Sequence, residues 1–114
     1  MALSDFLQQL KHSPDTIEFN DVMTVINEHY IYTPVTFTNG DLVNQAGTNE
    51  GSCKIFAFAQ LNNLSAEQTL ACFGKFYRED VLLNPNADDH GNIRTFIELG
   101  WQGITYSNAA LVQR

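Results

Sequence analysis

Apolar side chains at Phe19, Val22, Met23, Ile26 and Tyr30 return at the spacing of one helical face, while Asn20, Asp21, Thr24, Asn27 and Glu28 take the other. A helix with one apolar stripe is stable in water only when that stripe is covered, so this segment commits the chain to a second layer. The material is present. Of 114 residues, 44% are apolar and eight are Phe, enough for a core without disulfide or metal staples. No internal repeat or linker divides the chain, and a single domain over 1–114 is expected.

The other elements follow from local signals. Ser4 is placed to cap a short helix through Lys11 with Phe6, Leu7 and Leu10 on one face, and Ser13-Pro14-Asp15 breaks the chain. Tyr32 to Thr38 is extended in character, Asn39-Gly40 signals a tight turn, and Asp41 to Asn44 can pair back. Ser65 and Gln68 are spaced as a capping box for a helix burying Leu70, Phe73, Phe76, Tyr77 and Val81, ended by Pro85. Asp88 or Asp89 is placed to cap a last helix from about Asn92 to Leu99, with Gly100 closing it. Trp101 is expected to pack against the Phe73–Tyr77 helix, with Ile104 and Tyr106 on a final strand. The class this predicts is α+β: helix-dominated, with a small two- or three-stranded antiparallel sheet packed on the helices.

Charge narrows the partners. Thirteen acidic residues face six Lys and Arg, a net charge of −7. With no basic run, a nucleic-acid backbone and an anionic membrane are excluded as expected partners. The start of the chain has neither a basic segment nor a long apolar one, so no signal peptide and no membrane-spanning helix is expected. Two cysteines, Cys53 and Cys72, allow one disulfide or two reduced, buried thiols.

Candidate chemistry concentrates where a small, polar approach, Asn49-Glu50-Gly51-Ser52, meets the packing run Ile55 to Gln60. If that run opens a helix, Cys53 and Lys54 sit at its N-terminal end, where unpaired N–H groups favour a thiolate. An enzymatic reading then has Cys53 attack a carbonyl with His90 as base, and Asn39, Asn49 or Asn92 orienting the base or donating to an oxyanion. A binding reading uses the same region without catalysis. Asn39, Asn49, Lys54 and Asn92 would line a concavity for an unidentified protein or small molecule, Cys53 being a small buried hydrophobe. The crowded carboxamides Asn39, Asn44, Gln45, Asn49 and Gln60 fit either a polar pocket or an internally bonded loop. Glu79, Asp80, Asp88, Asp89 and His90 match neither the calcium-loop nor the paired-histidine zinc spacing. Gly47 to Gly51 lacks the Gly-Lys-Ser/Thr of a phosphate loop, so no metal and no cofactor is expected.

Further residues carry a family resemblance: Phe37-Thr-Asn-Gly40, Leu42-Val-Asn44, Ala46-Gly47, Gly51-Ser-Cys-Lys-Ile-Phe56 and Phe58-Ala-Gln60. It continues through Gln68-Thr-Leu-Ala-Cys-Phe-Gly74, Tyr77-Arg78, Asp80-Val-Leu82, Asp89-His90, Asn92-Ile-Arg94 and Gly100-Trp101. On these the chain resembles the HopJ family of type III effector proteins nearly from end to end. The resemblance implies a bacterial protein that either serves a housekeeping role in the cytoplasm or is delivered through a type III apparatus into a host cell. It implies no particular catalytic residue.

Overall fold

The computed structural model describes residues 1–114. Helices α1 (Leu3–His12) and α2 (Phe19–His29) are joined through a 3₁₀ turn at Pro14–Thr16. Ala2 is the N-cap of α1, so Ser4 lies inside the first turn and caps nothing. The stripe of α2 goes inward as its periodicity requires, with Val22 and Ile26 buried and Phe19 and Met23 packed on the core edge.

Two small antiparallel sheets flank the helices. Strand β2 (Phe37–Asn39) lies between β3 (Leu42–Asn44) and β4 (Ile104–Tyr106), with Thr38 opposite both Val43 and Thr105. That is the three-stranded sheet expected from the Asn39-Gly40 signal. A second pairing was not expected: β1 (Tyr30–Tyr32) continues straight from α2 and pairs with β5 (Leu111–Gln113), Ile31 opposite Val112.

Helix α3 (Glu50–Leu61) is the centre of the molecule. Cys53, Ile55, Phe56, Ala57, Phe58 and Ala59 are all buried, so it is enclosed on nearly every side. Phe56 anchors an aromatic cluster, with ring centroids 6.0 Å from Phe37, 5.5 Å from Phe73, 4.9 Å from Phe96 and 6.2 Å from Trp101. Trp101 therefore docks its ring on Phe56 of α3 and on Phe96, edge-on at 4.9 Å to the latter, rather than ring to ring with Phe73 or Tyr77. It still ties the C-terminal part of the chain to the core, through different neighbours.

The capping box holds. The Gln68 N–H donates to Ser65 Oγ at 3.1 Å, and the Ser65 N–H to Gln68 Oε1 at 3.0 Å, opening α4 (Ala66–Ala71). The helix does not run on to Val81 as the apolar spacing suggested. Gly74 takes φ +60°, and Phe76–Val81 then forms a π-helical turn in which the Leu82 N–H donates to the Tyr77 carbonyl. The break has a steric cause: a Cβ at Gly74 would stand 2.8 Å from the Phe19 nitrogen, so the chain reverses where only glycine fits. Gly74→Ala is expected to destabilise by more than about 1 kcal/mol, because strain and contact act together. An unchanged denaturation midpoint would show that the start of α2 yields instead.

Helix α5 (Gly91–Leu99) ends at Gly100, φ +62°, as the sequence suggests. Its start differs. The N-cap is His90, in the left-handed region at φ +51°, and neither Asp88 nor Asp89 caps it.

Candidate functional site

Helix α3 begins three residues before Cys53, and this changes what the cysteine can do. The Cys53 N–H already donates to the Asn49 carbonyl at 3.0 Å, so it is not one of the free donors of the first turn. The side chain is 1% exposed and its S–H points at the Val35 carbonyl, 4.0 Å away. Burial pushes the thiol above its ordinary range, outweighing hydrogen bonds from Tyr32 and Tyr106. The Tyr106 hydroxyl donates to the Cys53 carbonyl, closing the pocket from that side. No hydrogen bond joins Cys53 to His90, whose imidazole is engaged by Asp80. The expected thiol–imidazole pair is thus not brought together. Iodoacetamide should modify Cys53 in the native protein far more slowly than a free thiol near pH 8, and at the free-thiol rate only after unfolding. Rapid native modification would mean the helix start opens readily. Cys72 is also free and buried, its thiol pushed up to about 12 by burial.

Lys54 takes the opposite side of the turn. Its Nζ donates to Asn27 Oδ1 at 3.3 Å, tying α3 to α2, and lies 4.7 Å above the Tyr32 ring, a cation–π contact with β1. It takes no part in the cleft described next.

That cleft, about 330 Å³, lies where the starts of α3 and α5 meet. Asn49, Gly51 and Ser52 come from one helix, His90 to Ile93 from the other, and Phe19, Phe73 and Phe76 form an apolar wall. The absent side chain at Gly51 admits Phe19: a Cβ there would be 2.7 Å from the ring. Neither helix has a side-chain cap. The ladders start with the N–H groups of Cys53 and Arg94, so those of Glu50, Gly51 and Ser52, and of Gly91, Asn92 and Ile93, remain outside them. Both N-caps, Asn49 and His90, are left-handed, φ +49° and +51°, which withdraws their side chains from the capping position.

The expected carboxamides are present, mostly as framework. Asn92 is buried and central. Asn39 Nδ2 donates to the Asn92 carbonyl at 2.9 Å and to its Oδ1 at 3.2 Å. Asn44 Nδ2 donates to the same Oδ1 at 3.2 Å, and Asn92 Nδ2 donates back to Asn44 Oδ1 at 2.9 Å. Asn49 Nδ2 completes the set, 2.7 Å from Asn44 Oδ1. This network locks the β2–β3 hairpin, the start of α3 and the start of α5 into one arrangement. Asn39 is fully buried and forms no wall, whereas Asn49 and Asn92 both hold the framework and line the cleft.

His90 sits at the rim with Nε2 3.0 Å from Asp80 Oδ2 and 3.9 Å from Asp89 Oδ2. Phe76 covers the ring, centroids 5.3 Å apart. The π-helical turn is what aims Phe76 and Asp80 together at His90. Arg94 fixes the preceding loop, donating to Asp89 Oδ1 at 2.7 Å and to the Asn84 carbonyl at 2.9 Å, and its guanidinium holds the Asp89 carboxyl below the usual range. Nowhere do three or more His, Cys, Asp or Glu side chains gather as a metal cage. No helix is long and apolar enough to cross a membrane. Sequence reasoning passed over Ser52, Phe19, Phe76 and Asp80 as members of this site. Only the Gly51-Ser52 dipeptide gave a local hint of close approach.

Comparison with known proteins agrees on the fold. A family model described as HopJ type III effector protein matches residues 3–111. Among solved structures, the crystal structure of VPA0580, a protein of unknown function, is 54% identical. It superposes with a TM-score of 0.98, over 100% of this chain and 95% of that one. No curated protein matches.

Proposed function

This chain belongs to the HopJ type III effector family, and we propose that it acts by binding a ligand in the cleft between the starts of α3 and α5. The observation that carries this reading is the convergence of two uncapped helix starts on one cavity. Free backbone donors at a helix start, together with the aligned peptide dipoles, favour an oxygen that accepts hydrogen bonds. Phe19, Phe73 and Phe76 opposite them favour an apolar body. Asp80 and Asp89 beside His90 disfavour a multiply charged group such as phosphate. The ligand class is therefore a molecule, or the end of a peptide, with one carbonyl or carboxylate next to an aromatic or aliphatic group. The family's description adds type III delivery, which would carry this binding activity to components of a host cell.

Calorimetric titration tests the reading with simple probes. N-acetyl-L-phenylalanine should give saturable heat with the intact chain, and inorganic phosphate none. Ser52→Trp, which fills the cleft, should abolish the heat. Binding unaffected by that substitution would place the site elsewhere.

A further inference from the structure

We propose that the groove at the end of α3 is a second binding site, for a neutral sugar ring, with the Trp101 indole as its platform and the Gln60 and Asn63 carboxamides as partners for hydroxyl groups. It does not depend on the cleft described above, which lies at the opposite end of the same helix. Gly51 belongs to the first turn of α3 and Gln60 to its last, roughly 14 Å apart along the axis. The groove has a volume of about 350 Å³ and is lined by Ala59, Gln60, Asn63, Leu64 and Trp101. That is enough room for a single small ligand.

Charge is the first constraint on its occupant. None of the five lining side chains ionises, in a chain that carries thirteen acidic residues and six Lys and Arg. A phosphate or carboxylate finds no cation here, and an ammonium group finds no carboxylate, so a neutral ligand is favoured. Unused hydrogen-bonding capacity is the second. Gln60 and Asn63 are exposed and their carboxamides bond to nothing in the protein, whereas Asn62 between them is engaged by the Tyr30 hydroxyl and the Phe58 carbonyl. The Trp101 Nε1–H has no protein partner either. It is not sealed in the core, where the only orphaned side-chain atoms are Tyr32 Oη and Asn39 Oδ1. Two carboxamides and an indole N–H supply both donors and acceptors without charge, the set that matches hydroxyl groups, which are donor and acceptor at once.

Rigidity is the third. Trp101 is half-buried, held edge-on by Phe96 at 4.9 Å and Phe56 at 6.2 Å, while the part left open lines the groove. A large ring anchored on its inner side offers apolar contact at little cost in side-chain freedom. The C–H face of a saturated sugar ring packs on such a surface while its hydroxyls turn to the rim. The rim is also set in place. Asn63 takes φ +53°, its N–H donates to the Gln60 carbonyl at 3.4 Å, and the Leu64 N–H returns to the Ala59 carbonyl at 2.9 Å. This left-handed closure of the helix end brings residue 63 back over residue 60, so the two carboxamides share one side of the groove. A nucleobase could also stack on the indole, but the phosphate of a nucleotide meets no cation on this wall.

The single tryptophan of the chain reports on its own site. Methyl glycosides of glucose, galactose, mannose and N-acetylglucosamine are titrated separately against the intact chain, read by tryptophan fluorescence and by the one indole Nε1–H resonance in the NMR spectrum. At least one glycoside should shift both saturably, together with the backbone amides of Gln60, Asn63 and Leu64. Combining Gln60→Ala with Asn63→Gly should weaken that binding about tenfold or more, the loss expected from two hydrogen bonds. This variant should keep its urea midpoint, because alanine suits the helix and glycine the left-handed position. Trp101→Phe keeps a ring in the core but loses the Nε1–H and part of the platform, and calorimetry should show its binding lost. Cyclohexanol, a ring with one hydroxyl, should give no saturable change. A saturable response to cyclohexanol or adenosine but to no glycoside overturns the sugar assignment. Glycoside binding unaltered in the double variant overturns the placement, and no response to any probe removes the site.

Discussion

Phe56→Ala is expected to lower the free energy of unfolding by about 3–5 kcal/mol, the usual cost of truncating a fully buried phenylalanine. A domain of this size has about 5–15 kcal/mol in total, so the variant should sit near the edge of folding. The position explains the size of the effect. Phe56 is wholly buried on the central helix and touches rings from β2, the segment after α4, α5 and the turn that follows it. No single neighbour can collapse into the space, because each is held by a different element. Urea denaturation followed by tryptophan fluorescence measures the loss, since Trp101 packs edge-on against the same ring. A loss below about 1.5 kcal/mol would mean that the cluster closes around the cavity, as cores do where the site can relax.

The second large effect is at Asn92. Its side chain accepts from Asn39 and Asn44 and donates to Asn44, all away from water. Asn92→Ala leaves Asn44 Nδ2 without its acceptor, while Asn39 Nδ2 keeps the main-chain carbonyl of residue 92 and Asn44 Oδ1 keeps Asn49. Each buried group left without a partner costs about 1–3 kcal/mol, more than a net hydrogen bond contributes when both partners are present. A loss of about 1–3 kcal/mol is expected, with loss of ligand binding because the hairpin no longer fixes the two helix starts. Asn44→Ala in the same background should then cost little more, since the two residues act as one network. Additive losses would show that they act separately.

The sequence reveals what local chemistry determines. The α2 stripe, the Ser65–Gln68 box, the Asn39-Gly40 hairpin and the Gly100 stop each depend on residues within a few positions of one another, and each is found. What it conceals depends on distance or on helix phase. The β1–β5 pairing joins the three-residue strands Tyr30–Tyr32 and Leu111–Gln113, far apart in the chain and too short to carry a pattern. The break at Gly74 arises from the nearness of α2, which no local window contains. The carboxamide cluster was visible as composition between 39 and 49, but its hub, Asn92, lies 48 residues beyond Asn44. Helix phase decided the fate of the candidate nucleophile. With α3 starting at Glu50 rather than near Ile55, Cys53 turns inward and Ser52 faces the cleft.

The most direct measurement is an amide-resolved NMR titration of the uniformly ¹⁵N-labelled chain with N-acetyl-L-phenylalanine. If two uncapped helix starts form the binding site, the N–H resonances of Glu50, Gly51 and Ser52 and of Gly91, Asn92 and Ile93 should shift together along one binding curve, while those of Lys54 and the β1–β5 pair stay in place. Saturable shifts centred elsewhere, with these amides unmoved, would contradict it.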